Sequence, residues 1–127
     1  MHARGYGRFI AWPVVVAWMV ALFFLSSLPS PPQTLAFDFG DKIAHAAAFG
    51  VLGCFLSFAR LPYPLGSLNR VMLVTVLVIA YGVSDEFHQS FVPGRDASAT
   101  DIVADGIGGF VTAFVVVWLQ RRPWNNS

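Results

Sequence analysis

The chain has 127 residues, of which 56% are hydrophobic and only 12% charged. A soluble domain carries about a quarter charged residues, so this composition excludes an ordinary soluble globule and points to a bilayer. The formal net charge of +1 hides a strong segregation, and the scattered arginines form no basic patch for nucleic acid.

The chain reads as a single domain, residues 1–127, with four apolar spans near 9–28, 41–59, 71–89 and 101–120. Arg4 and Arg8 precede the first span, with Pro13 expected in its opening turns, where a missing N–H matters least. The span is longer than a leader's apolar region and no A-x-A site follows, so it is expected to be retained. Pro29-Ser30-Pro31-Pro32 ends it.

The second span reaches crossing length only if Asp41, Lys42 and His45 are included, with Asp38 as its expected N-cap. Ala44, Ala46, Ala48 and Gly50 supply small residues for close helix approach. Cys54 lies in the same run, alone of its kind, and reads as a small apolar filler.

The third span ends in Ser84-Asp85-Glu86-Phe87-His88-Gln89, and Pro93-Gly94 marks a turn. Ser98-Ala99-Thr100-Asp101 has the form of a helix start. The fourth span carries Asp105 one turn in, then Gly106, Gly108, Gly109 and Ala113 as a close-packing face.

Six arginines (Arg4, Arg8, Arg60, Arg70, Arg121, Arg122) flank one end of this pattern. All seven carboxylates lie at the other, with Lys42 and Arg95 as the cations there. Positive charge accumulates in short cytoplasmic segments, so both termini are expected in the cytoplasm and the acidic end outside. The expected architecture is an all-α, four-helix membrane bundle with a polar pocket at its extracytoplasmic end.

Helical spacing puts Asp41 and His45 on one face, Asp85 and Gln89 on another, and Asp101 and Asp105 on a third. Ser84 and His88 also share a face. Carboxylates near a bilayer pair, line a wet cavity or bind something positive. Three chemistries fit. His45, Asp41, Glu86 and Asp85 are candidates for acid–base work on an anionic lipid-linked substrate, with Lys42 and Arg95 holding the anion. Asp41, His45, Asp85, Glu86 and Asp105 are candidate ligands for a divalent cation such as Zn, Mn or Mg. Lys42, Gln89, Arg95, Asp101 and Asp105 are candidate binding residues, with Arg95 suited to a bidentate phosphate or carboxylate contact. Ser84 fits a nucleophile and a packing residue equally. No zincin motif or phosphate loop selects among these, and no cofactor is required.

Asp41-Lys42-x-x-His45, the stretch Asp85-Glu86-x-x-Gln89-x-Phe91-x-Pro93-x-Arg95, and Asp101 and Asp105 followed by glycines resemble the VanZ-like family of small bacterial membrane proteins. His88 has no evident place in that pattern. The resemblance implies a multi-pass protein of the bacterial plasma membrane, acting in the cell envelope. The family takes its name from a protein associated with teicoplanin resistance. It implies no established reaction. The expected partners are the lipid bilayer and a lipid-linked cell-wall precursor or glycopeptide, with no nucleic acid; oligomeric state is left open.

Overall fold

The computed structural model describes residues 3–29, 39–59 and 65–121, with side chains from Trp12 onward. It is all-α, with four helices: α1 (Ala3–Ser26), α2 (Gly40–Phe58), α3 (Ser67–Gln89) and α4 (Ala99–Arg121). α2, α3 and α4 are each long and apolar enough to cross a membrane. At 1.5 Å per residue they measure about 28 to 35 Å, which matches a hydrocarbon core of about 30 Å. Apolar side chains cover their outsides, among them Val76, Ile107, Phe110 and Phe114. A soluble monomer rarely shows so continuous an apolar surface, whereas lipid requires it.

α4 is wedged between α2 and α3, and α1 packs on α2 with a smaller contact to α3. The core draws on all four: Val15 and Leu22, then Phe49, Leu52 and Leu56, then Val71, Val74 and Val78, then Ala113 and Val117. Glycine makes the wedge possible. An ideal Cβ on Gly53 would stand 2.9 Å from Gly109 Cα, and one on Gly109 would stand 2.7 Å from Val78 Cγ1. A Cβ on Gly108 would run into the carbonyl oxygen of Ala46. Small residues are the usual means of close approach in lipid, where apolar burial drives little association. The expected small residues are all at close contacts, but not on one face: Gly108 meets α2, Gly106 and Gly109 turn to Ile79 and Val78 on α3, and Ala113 lies in the core.

Polar ties fix the pairing. Trp18 Nε1 donates to Ala48 O at 2.9 Å, joining α1 to α2, and Tyr81 OH donates to Met19 O at 2.5 Å, joining α3 to α1. Arg70 donates through Nη2 to Ser57 O at 2.7 Å, so α3 closes the C-terminus of α2. There its charge meets the negative end of the helix dipole.

Several boundaries differ from the sequence expectation. α1 begins at Ala3, so Pro13 sits well inside the helix rather than in its opening turns. Membrane helices tolerate such a proline because neighbours and local adjustment satisfy the freed backbone groups. α2 starts at Gly40 with Phe39 in the capping position and no side-chain capping bond. Asp38, the expected cap, lies outside the described residues, as do Arg60, Arg122 and Ser30-Pro31-Pro32. The turn at Pro93-Gly94 is present: Arg95 N donates to Val92 O at 3.2 Å, and Gly94 takes φ +79, which a side chain would resist.

Candidate functional site

The end of α1, the start of α2, the end of α3 and the start of α4 meet at one end of the bundle. Asp85, Glu86, Gln89, Asp101 and Asp105 are each 7% exposed or less there. Burial of this kind demands partners, and most of these groups have them.

His45 occupies the middle. Its Nδ1 lies 2.9 Å from Asp105 Oδ1, and the carboxylate accepts the ring proton. Its Nε2 lies 3.7 Å from Asp101 Oδ2. The ring stacks on Phe49, one turn deeper in α2, at 6.0 Å between centroids. Asp105 is backed by Gly82 of α3, where a Cβ would stand 2.7 Å from Asp105 Oδ2. Lys42 Nζ donates to Asp101 Oδ1 and, at 3.2 Å, to Asp41 Oδ2. Its single positive charge is thereby shared between one carboxylate of α4 and one of its own helix.

Glu86 joins α3 to the start of α4. Its Oε2 accepts the backbone N–H of Ser98 at 2.7 Å. A capping box would have Asp101, three residues on, accept that N–H. Here Glu86 takes it and Asp101 is released to Lys42.

Asp85 and Gln89 face another way. Ser26 Oγ donates to Asp85 Oδ1, while Gln89 Nε2 donates to Asp85 Oδ2 at 3.1 Å and to Ser26 Oγ at 2.9 Å. This three-residue network anchors α1 to α3. The neighbouring Ser27 Oγ lies 2.9 Å from His88 Nε2, and His88 stacks on Phe23 at 4.5 Å.

The structure therefore brings Asp41, Lys42, His45, Glu86, Asp101 and Asp105 into one cluster, with Asp85 and Gln89 of α3 beside it, bonded to Ser26 of α1. Arg95 goes elsewhere. Its Nε donates to Leu28 O and its Nη2 to Leu25 O, each at 2.9 Å. The guanidinium fork expected to meet an anionic ligand caps the C-terminus of α1, where unpaired carbonyls and the dipole both favour a cation. Ser84 Oγ donates to Tyr81 O on its own helix, and Asp96 is exposed. Neither joins the cluster.

Sequence reasoning assigned the site to three helices and missed Ser26 and Ser27. The signal was faint: two hydroxyls at the end of an apolar run, in a position that equally suits a helix end. Glycines 53 and 82 were missed because their value lies in what faces them.

A VanZ/LLP1 family model matches residues 9–120, which takes in all four helices and every residue of the cluster. The chain belongs to the VanZ-like family. No curated protein and no solved structure is significantly similar to it. Membership and helices of crossing length together make this a VanZ-like membrane protein. In this VanZ-like chain the residues that carried the resemblance divide by role. Asp41, Lys42, His45, Glu86, Asp101 and Asp105 build the cluster, Asp85 and Gln89 tie down α1, and Arg95 closes α1's last turn.

Proposed function

We propose that this VanZ-like protein resides in the bacterial plasma membrane with both termini in the cytoplasm. Its acidic end forms a polar pocket at the outer face, and there it engages a lipid-linked cell-wall precursor and alters its display to glycopeptides. The observation that carries the proposal is a histidine and four buried carboxylates gathered at one end of the bundle, with Arg70 and Arg121 at the opposite end. The positive end is the cytoplasmic one by the charge rule, which turns the cluster toward the envelope. Lys42 and Arg95 are both engaged by the protein itself, so recognition runs through the carboxylate and imidazole groups.

Two measurements on the same cells test this. Cysteine placed at exposed Ala97, in a Cys54→Ser background, is expected to react with a membrane-impermeant maleimide added outside. Expression of the protein is expected to raise the teicoplanin concentration that stops growth, and a double variant, His45→Ala with Glu86→Gln, made at equal level, is expected to lose that gain. Labelling only after the cells are broken, or equal susceptibility with and without the protein, sinks the proposal.

A further inference from the structure

The four buried carboxylates at this end of the bundle, Asp85 beside the cluster and Glu86, Asp101 and Asp105 within it, are not equivalent. Asp85 has both oxygens engaged, one by Ser26 and one by Gln89. Asp101 is paired with Lys42. Glu86 and Asp105 differ: Glu86 Oε1 and Asp105 Oδ2 are buried and meet no hydrogen-bond donor among the described residues. Glu86 is 4% exposed and Asp105 0%. A carboxylate oxygen stripped of water and given no donor is costly, and it is relieved by a proton, a paired charge or a metal cation.

These same two residues stand with His45 in one group. One donor atom from each of His45, Glu86 and Asp105 lies within 4.8 Å of the others. Around a tetrahedral ion with bonds of about 2.1 Å, donors stand roughly 3.4 Å apart. Side-chain adjustment of about an ångström closes that gap. A second group, Asp41, His45 and Asp101, has similar spacing, but Lys42 already occupies both of its carboxylates.

We infer that His45, Glu86 and Asp105 bind one divalent cation, of the kind that accepts mixed nitrogen and oxygen ligands, such as zinc or manganese. The donor set of one imidazole and two carboxylates suits these ions rather than calcium or copper(I). Two carboxylates and a neutral imidazole cancel the ion's charge, which suits a site at the edge of a low-dielectric bundle. Where the ring carries a proton on each nitrogen, one facing Asp105 and one facing Asp101, the cation replaces the proton on Nδ1, which leaves to solvent. Nε2 keeps its proton and faces Asp101 Oδ2 at 3.7 Å, the side from which a carboxylate orients a ligating ring. The inference deepens the proposed function by giving the outward site a cation able to meet a phosphate, and it rests on that reading for its role though not for its test.

The test is titration of detergent-purified, chelator-treated protein with zinc chloride and separately with manganese chloride, followed by calorimetry, elemental analysis and thermal unfolding. Expected are one equivalent bound per chain, a higher unfolding temperature, and heats that vary with buffer ionisation as the proton is released. Glu86→Gln and Asp105→Asn are each expected to weaken binding by about tenfold or more, and Asp41→Asn to leave it unchanged. Circular dichroism establishes that each variant is folded, and Glu86→Gln decides alone if Asp105→Asn does not fold. Substoichiometric binding of both metals, unaltered binding by Glu86→Gln, or loss of binding in Asp41→Asn overturns the inference. Metal binding without any change in teicoplanin susceptibility leaves this site standing and removes the proposed function; the converse result does the reverse.

Discussion

Gly108→Ala is expected to be among the most damaging single-methyl changes in this protein. The new Cβ meets the carbonyl oxygen of Ala46, which is helix backbone and cannot swing aside. α4 must move away from α2, and the contacts that the glycines permit around Gly53 and Thr112 go with it. Overpacking a tight core costs about 1–3 kcal/mol, and a backbone obstacle puts this position at the upper end or above it. Gly106→Ala is the control. Its Cβ would lie 3.1 Å from Ile79 Cγ1, the part of a side chain able to shift, and the expected loss is about 1 kcal/mol or less. Unfolding in mixed micelles measures both. Equal stability of Gly108→Ala and the parent would mean that the two helices do not approach as closely as described.

Asp85→Ala is expected to loosen α1 from α3. The substitution leaves the Ser26 hydroxyl without its acceptor and takes one of the two acceptors of the Gln89 amide. An orphaned buried donor costs about 1–3 kcal/mol. A double-mutant cycle with Ser26→Ala separates this from general damage, because the hydroxyl and carboxylate lie 59 residues apart in the chain, on different helices. Coupling of about 1 kcal/mol or more is expected, since groups in one hydrogen-bond network do not behave additively. Strict additivity would show that the network does not hold the helix.

Much of this arrangement can be read from residue order. Four apolar runs predict four helices, and the alternation of charged connections predicts which ends share a side. Pro93-Gly94 announces its turn because the cause is local: glycine accepts the positive φ that the third residue of such a turn needs. The pairings within the cluster are a different matter. Spacing along a helix tells which residues share a face, but not how that helix is rotated against its neighbour. Asp101 and Asp105 share a face of α4, yet one meets Lys42 and the other His45. Arg95 illustrates the same limit. Its position beside an acidic segment suggested a ligand contact, and only the path of the loop back over α1 reveals the carbonyls of Leu25 and Leu28. Gly53, within a uniformly apolar run, had no feature to mark it until Gly109 was placed opposite.

Glu86 ends with its two oxygens in different services. Oε2 holds the first turn of α4 through Ser98, while Oε1 faces the interior. A carboxylate pivots as a rigid plate, so any pull on the inner oxygen is transmitted to the outer one. Loop 90–98, with the exposed rings of Phe87 and Phe91 edge to face at its root, is thereby tied at its far end to a side chain of the buried cluster. Loss of that one side chain is expected to release the start of α4 from the end of α3.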